Sequence, residues 1–238
     1  MLLFVDVESF GGRSDHEQLR TREDLYRELR AAFTRAVWDA CPHEDRGDGV
    51  LIVIPPELPK RMVLGEILLR LDRALGGRRR SDPLLRLRVA AHIGQVHRDA
   101  HGVAGTAVNH VFRLCDSAPL RRALDSARSD VALLVSDAVY DTVVRGAQPA
   151  IDAESFCEVE VLVKETEARA WLNVPGDPAT APGVAREAAA RSDSEGERRA
   201  ATAGVSVHAD GDFSMSRSMI AGHGISVARG AGKWWRRR

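Results

Sequence analysis

Cysteine is scarce in this chain, aromatic residues make up only 5%, and neither sign of charge is in excess. The three cysteines, Cys41, Cys115 and Cys157, are an odd number without metal-ligand spacing. That argues against a disulfide framework or a zinc site and for buried or indifferent thiols in a reducing cytoplasm. The 34 Lys+Arg and 34 Asp+Glu residues cancel, whereas a dedicated nucleic-acid binder is usually basic overall. No apolar run approaches the roughly 20 residues of a membrane-spanning helix. The opening MLLFVDVESF is too short and too soon acidic for a signal peptide. What is present is ordinary for a globular protein: 238 residues, 44% apolar and 29% charged, enough to bury a sizeable core.

Composition changes near Pro175. Before it, apolar segments recur with strand and helix periods. Residues 176–203 have no sustained apolar face and read as a linker, with a short solvated helix conceivable around Val184–Arg191. Residues 204–238 are rich in Gly and Ser and end in KWWRRR. The expected organisation is a globular domain over 1–175, a linker over 176–203 and a tail over 204–238. The neutral total also hides a division: residues 1–176 carry 24 basic and 27 acidic side chains, and residues 177–238 carry 10 and 7.

Within the first part, Leu2–Val7 is a short apolar run suited to a buried strand. Leu19–Val37 has helical apolar spacing. Val50–Ile54 is β-branched and stops at Pro55-Pro56. Leu58–Leu75 is helical and is expected to end at Gly76-Gly77, followed by a solvated turn at Arg78-Arg79-Arg80. Leu85–Val96 reads as a strand, Ala107–Leu124 as a helix, Val131–Val135 as a strand and Ser136–Val144 as a helix. Phe156–Val163 and Arg169–Val174 read as a closing pair of strands. Alternating strands and helices with short connections imply an α/β or α+β sandwich with helices packed on a sheet.

Asp6 lies near the end of the first strand, and Asp48 lies in Arg46-Gly47-Asp48-Gly49, a hairpin-turn sequence. Each alone reads as ordinary strand-end or turn chemistry. On adjacent strands the two carboxylates would suit a hard cation such as Mg²⁺. Asn109 and Arg113, four apart, share one helix face. They read either as an exposed polar pair or as groups aimed at a developing phosphate charge.

In this order the motifs resemble the class III nucleotidyl cyclase (adenylate/guanylate cyclase) catalytic domain. Phe4-Val5-Asp6-Val7-Glu8-Ser9-Phe10-Gly11 is similar to its first metal-binding strand and turn, and Arg46-Gly47-Asp48-Gly49 to the second. Val89-Ala90-Ala91-His92-Ile93-Gly94 resembles the strand ending in His-x-Gly. Gly105-Thr106-Ala107-Val108-Asn109 through Arg113 resembles the Gly-x-x-Val-Asn helix start, Leu133–Tyr140 the later strand and helix, and Val163-Lys164 with Trp171–Pro175 the closing hairpin. The resemblance implies an α+β fold, a ferredoxin-like βαββαβ core sheet with helices packed on it. It implies two Mg²⁺ or Mn²⁺ ions held by Asp6, Asp48 and the Val7 carbonyl, and a homodimer whose other chain contributes Asn109 and Arg113. The reaction implied is cyclisation of a nucleoside triphosphate with loss of pyrophosphate. Lys164 would lie near the terminal phosphates, or be a surface lysine. A catalytically silent cyclase homology domain, acting as a nucleotide-sensing adaptor that presents its tail, is the alternative.

The base-reading positions depart from the family. Glu44 stands where adenylate cyclases usually carry Lys and guanylate cyclases Glu, and it can accept from the N1–H and N2–H₂ of guanine. Its partner position is Gly102, which has no side chain; His101 is its neighbour. These residues favour GTP over ATP and leave a pyrimidine substrate open.

In the tail, residues 204–229 alternate apolar and polar positions between glycines. They read as an unstructured Gly/Ser tail or as a short β motif that pairs with a like motif on a protein partner. Residues 233–238 combine two tryptophans with four positive charges, suited to weak contact with an anionic membrane or to a solubilising end.

Overall fold

The protein is described by a computed structural model over residues 1–78, 85–146 and 151–203, with 192–203 as helix backbone only. The expectations for residues 204–229 and 233–238, and for Arg79 and Arg80, lie outside the described residues.

A seven-stranded sheet organises the chain in the order β2-β3-β1-β4-β7-β9-β8. Its first half is the expected βαββαβ unit. β1 (Leu2–Val7) leads through α1 (Asp15–Phe33) and α2 (Arg35–Ala40) to β2 (His43–Asp45) and β3 (Gly49–Val53). A long helix then returns the chain to β4 (Leu87–His92). It comprises α3 (Lys60–Met62), a π-helical turn (Val63–Ile67) and α4 (Leu68–Arg78). β1 pairs antiparallel with both β3 and β4, and β2 with β3, which is the ferredoxin-like arrangement.

After a small separate hairpin of β5 (His97–Asp99) and β6 (Gly102–Ala104), α5 (Thr106–Cys115) and α6 (Ala118–Ser126) cross over. β7 (Val131–Ser136) then pairs parallel to β4. A short helix follows, α7 (Asp137–Val139) continued by a π-helical turn (Tyr140–Val144). β8 (Cys157–Val163) and β9 (Thr166–Asn173) close the far edge.

Alternation along the central strands divides the core in two. Leu3, Val5 and Val7 face a cluster with Leu25, Leu29 and Phe33 of α1 and Leu68, Leu71 and Leu75 of α4. Leu2 and Phe4 face the opposite cluster with Val108, Val111 and Leu114 of α5. Because the sheet is covered on both faces, β1 reads as a continuous apolar run rather than an alternating one. Full burial of each such side chain is worth roughly 1.5–3 kcal/mol. Asp6 is the one charged residue in that run and lies on the α5 face by the period of two.

Several boundaries differ from expectation. The apolar period over Leu19–Val37 passes through a break at Thr34, whose φ of 62° ends α1 and begins α2. The period over Ala107–Leu124 likewise hides a break at Asp116-Ser117, where Pro119 opens the first turn of α6. Helix α4 runs through Gly76-Gly77 to Arg78 rather than ending at the glycines. Arg78 is not in a solvated turn: it donates to Asp24 Oδ2 at 2.7 Å and to Glu28 Oε1 at 2.6 Å, both on α1. That clasp offsets the roughly 1 kcal/mol that each helical glycine costs.

The expected strand Leu85–Val96 ends at His92. The expected linker also departs from the reading: α8 spans Thr180–Ala203, and Ala181 and Val184 are buried in the α5-face core with Val159, Val161 and Leu172. An alanine-rich segment anchored by Ala181, Val184 and Ala185 lacks a pronounced apolar stripe, so its periodicity does not reveal the docking. The cysteines are free; Cys41 and Cys115 are buried and Cys157 is half-buried.

Two predictions follow from this packing. Burial alone would raise the Asp24 carboxyl, but hydrogen bonds from Arg78 and Arg27 outweigh it and hold its pKa below the usual range. A depressed folded value means the stabilisation is complete above about pH 4 and is lost as pH falls through the folded value. Arg78→Ala should therefore cost about 3 kcal/mol in urea unfolding at neutral pH, with the deficit shrinking in acid. A deficit independent of pH would assign the loss to packing instead. Second, a chain ended at Pro175 should melt several degrees below one ended at Arg191, because only the latter covers Val159 and Val161.

Candidate functional site

Strand pairing brings the two aspartates together. Asp6 lies opposite Gly49 in the β1–β3 register, which places Asp48 beside the end of β1. The Val7 amide donates to the Asp48 carbonyl at 3.0 Å and ties the β2–β3 turn to the first strand. Gly49 is required there, since a Cβ would collide with the Val5 carbonyl oxygen and press on the Phe4 ring. Asp6 and Asp48 line one hollow of about 260 Å³ with Phe4, Arg46, Phe112, Cys115 and Asp116.

Burial raises the Asp6 pKa to about 6; Asp48 and Asp116 push it further in that direction, and Arg88 opposes them. Arg88 lies directly across β4 in register with Asp6. Its Nε donates to Asp6 Oδ2 at 2.9 Å, and its Nη2 donates to the same oxygen. Both donors thus engage one carboxylate oxygen, and neither is paired to Oδ1. Asp6, Asp48 and Asp116 offer hard oxygen donors of the type Mg²⁺ and Mn²⁺ prefer. Among the described residues no three His, Cys, Asp or Glu side chains are gathered tightly enough to form a ligand cluster by themselves. As hard oxygen donors, Asp6 and Asp48 would fit a cation that takes its remaining ligands from elsewhere. Cys115, fully enclosed below, has its thiol pKa pushed well up by burial.

A second hollow of about 500 Å³ adjoins, lined by Glu44, Arg46, Arg98, Asp99, His101 and Gly102 among others. The two proposed base-reading positions meet here. Gly102 has φ +125°, and a Cβ on it would lie 2.5 Å from Glu44 Oε1. The Glu44 carboxylate therefore occupies the space that a side chain at 102 would fill. Arg46 lines both hollows and donates from Nη2 to Glu44 Oε2 at 2.5 Å.

Asn109 and Arg113 lie elsewhere. Asn109 is exposed on α5. Arg113, one turn on, donates to Thr166 Oγ1 at 2.9 Å and pairs with Glu165. Glu165 lies in the tight β8–β9 connection with Lys164, at φ 53°, and Thr166 opens β9 just after it. This connection gathers Arg113 and Lys164 while β4 and β7 separate β9 from β1. The aspartates and the Asn109–Arg113 face are thus two groups in one chain.

The His-x-Gly pattern has a structural cause. His92 Nδ1 lies 2.9 Å from Ser136 Oγ, and its ring packs 4.4 Å from that of His110. Burial, then the neighbouring His110, lowers the His92 pKa to about 4. A Cβ at Gly94 would lie 2.6 Å from the Ala107 Cβ, so this glycine permits the close approach of α5. Larger hollows exist, such as one of about 660 Å³ beside the first π-helical turn, lined by Met62, Leu64, Leu69, Ile151 and Phe156 among others. Its lining is largely apolar, with Glu66 and Asp152 among the residues at its edge. Arg46, Arg88, Phe112 and Asp116 also belong to this site, although no motif in the sequence marks them for it. A lone acid in a buried strand does demand a cationic neighbour, and that was the available signal for Arg88.

No family model and no curated protein matches this chain. Among solved structures, it is similar to an adenylate/guanylate cyclase/hydrolase from Silicibacter pomeroyi, at 20% identity and a TM-score of 0.48, covering 74% of this chain and 98% of that one. It is also similar to a double mutant of the guanylyl cyclase domain of the RhoGC fusion protein from the aquatic fungus Blastocladiella emersonii, at 14% identity and a TM-score of 0.43, covering 73% and 93%.

Proposed function

We propose that this chain is a nucleotidyl cyclase that uses Mg²⁺ or Mn²⁺ and works as a homodimer. It would convert a nucleoside triphosphate, GTP in preference to ATP, to a 3′,5′-cyclic nucleotide and pyrophosphate. The observation that carries the reading is the shared hollow of Asp6 and Asp48 at the strand end, held by the Val7–Asp48 backbone bond and the glycine at 49.

Asp6 and Asp48, with the Val7 carbonyl, would hold the cations. When bound, these supply Lewis acidity that lowers the pKa of the ribose 3′-hydroxyl and shields the polyphosphate. The 3′-oxygen then bonds to the α-phosphorus, the bond to pyrophosphate breaks, and the hydroxyl proton leaves to water. Arg113 would donate to the α-phosphoryl oxygens as charge builds on them, exchanging its Glu165 partner for substrate. Asn109 would orient the ribose, and Lys164 would meet the terminal phosphates. Glu44 would accept from guanine. Because the Arg113 group and the aspartates are separate within one chain, the reading joins them across two copies related by a two-fold axis.

The test is incubation of the purified full chain with each of ATP, GTP, CTP and UTP and Mg²⁺ or Mn²⁺, assaying cyclic product and pyrophosphate. Product is expected, with Arg113→Ala lowering kcat on the order of 10²–10³-fold and Asp48→Ala abolishing turnover. No turnover of any triphosphate, with Asp48→Ala indistinguishable from the parent, would instead favour a silent nucleotide-sensing domain.

A further inference from the structure

We infer that Arg46 is a specificity-determining residue that reads the base together with Glu44: Glu44 accepts from N2–H₂ and N1–H of guanine, and Arg46 donates to O6. The inference rests on the cyclase reading for the identity of the ligand as a nucleotide. The role of Arg46 comes from its own geometry.

Arg46 and Glu44 are two residues apart at the end of β2, and their side chains meet. Arg46 Nη2 donates to Glu44 Oε2 at 2.5 Å, and the guanidinium carbon lies 5.4 Å from the centre of the Phe112 ring. The ring and the carboxylate together hold the guanidinium between the acidic hollow and the hollow around Gly102. Glu44 is fixed from the other side. Its Oε1 rests against the bare Cα of Gly102, where any side chain would displace it, and the φ of +125° there disfavours one in any case.

The pair therefore presents two carboxylate oxygens and a guanidinium to the hollow it lines. In hydrogen-bonding terms these are acceptor, acceptor, donor. A carboxylate oxygen has two lone-pair directions, so Oε2 can serve both Arg46 and a ligand, and a guanidinium has N–H groups to spare. Guanine offers the complementary row of N2–H₂, N1–H and O6, which is donor, donor, acceptor. Adenine, lacking a second donor, leaves one carboxylate oxygen unpaired or sets its N1 lone pair against it. Cytosine and uracil each place a ring acceptor or a carbonyl oxygen against a carboxylate oxygen. A ligand that leaves a site's hydrogen-bonding groups unpaired is held less tightly than one that pairs them. Gly102, in this view, makes the room that lets Glu44 pair with Arg46.

The experiment is equilibrium binding of the four 3′-deoxynucleoside triphosphates to the full chain with Mg²⁺, since these cannot cyclise. 3′-Deoxy-GTP should bind at least about tenfold tighter than the other three, in line with one good bidentate contact. Arg46→Leu should weaken 3′-deoxy-GTP about tenfold while moving 3′-deoxy-ATP by less than about twofold, and Arg46→Lys should recover part of the loss. 3′-Deoxy-6-thio-GTP, which keeps N1–H and N2–H₂ but replaces O6 by the weaker acceptor sulfur, should bind the parent chain more weakly than 3′-deoxy-GTP. That arm stands even if Arg46→Leu lowers the thermal unfolding temperature. Equal weakening of all four nucleotides by Arg46→Leu would overturn the inference, as would preference for another base. Guanine-selective, Arg46-dependent binding without any cyclic product would support the inference and defeat the catalytic reading. Binding of no nucleotide would defeat both.

Discussion

A carboxylate stands in a strand that is buried on both faces. Asp6 belongs to the central β1 of a sheet covered by α1 and α4 on one side and α5 and α6 on the other, and almost none of its surface reaches water. Such a charge is costly unless paired. Arg88 supplies the pairing from the neighbouring strand, at the register position directly opposite. Yet burial and the nearby Asp48 and Asp116 still raise the Asp6 pKa. The β2–β3 turn, the glycine at 49 and the α5 packing all serve to hold that arrangement.

The second constraint is separation. The turn that carries Lys164 holds Arg113 on the side of the sheet where β8 and β9 lie, away from β1. In the proposed reading one chain would then hold two half-sites rather than one complete site. Symmetric pairing of identical chains is the simplest way to unite two complementary halves, and it would do so twice in each dimer. In the proposed reading the ion pair between Arg113 and Glu165 would keep the guanidinium placed and satisfied until phosphate oxygens replaced the carboxylate.

Much of the framework was legible because burial on both faces makes strands such as Leu2–Val7 and Val131–Val135 plain apolar runs. The breaks at Thr34 and Asp116-Ser117 were not, since the apolar period passes through them and only backbone geometry interrupts it. The docking of α8 was hidden because Ala181, Val184 and Ala185, mostly alanines, anchor its start. Within the site, Asp6 and Asp48 were legible as acids at a strand end and in a glycine turn. Arg88 was not, because Leu85–Val96 alternates charged and apolar residues in a way that suggests a solvated face; only the register with β1 reveals a buried partner. The meeting of Glu44 with Gly102 followed from the family resemblance, whereas the insertion of Arg46 beside them depends on side-chain packing that no spacing rule encodes.

The central claim is that two copies of this chain complete each other, one giving the aspartates and the other Arg113. Mixing two inactive variants, Asp48→Ala and Arg113→Ala, tests it directly. Random exchange of subunits makes half of the dimers mixed, each with one intact site, so activity should return to about a quarter of the parent level. Recovery of cyclic nucleotide synthesis to that level is the predicted result; a mixture as inactive as its components, with subunit exchange verified by differently tagged chains, would contradict it.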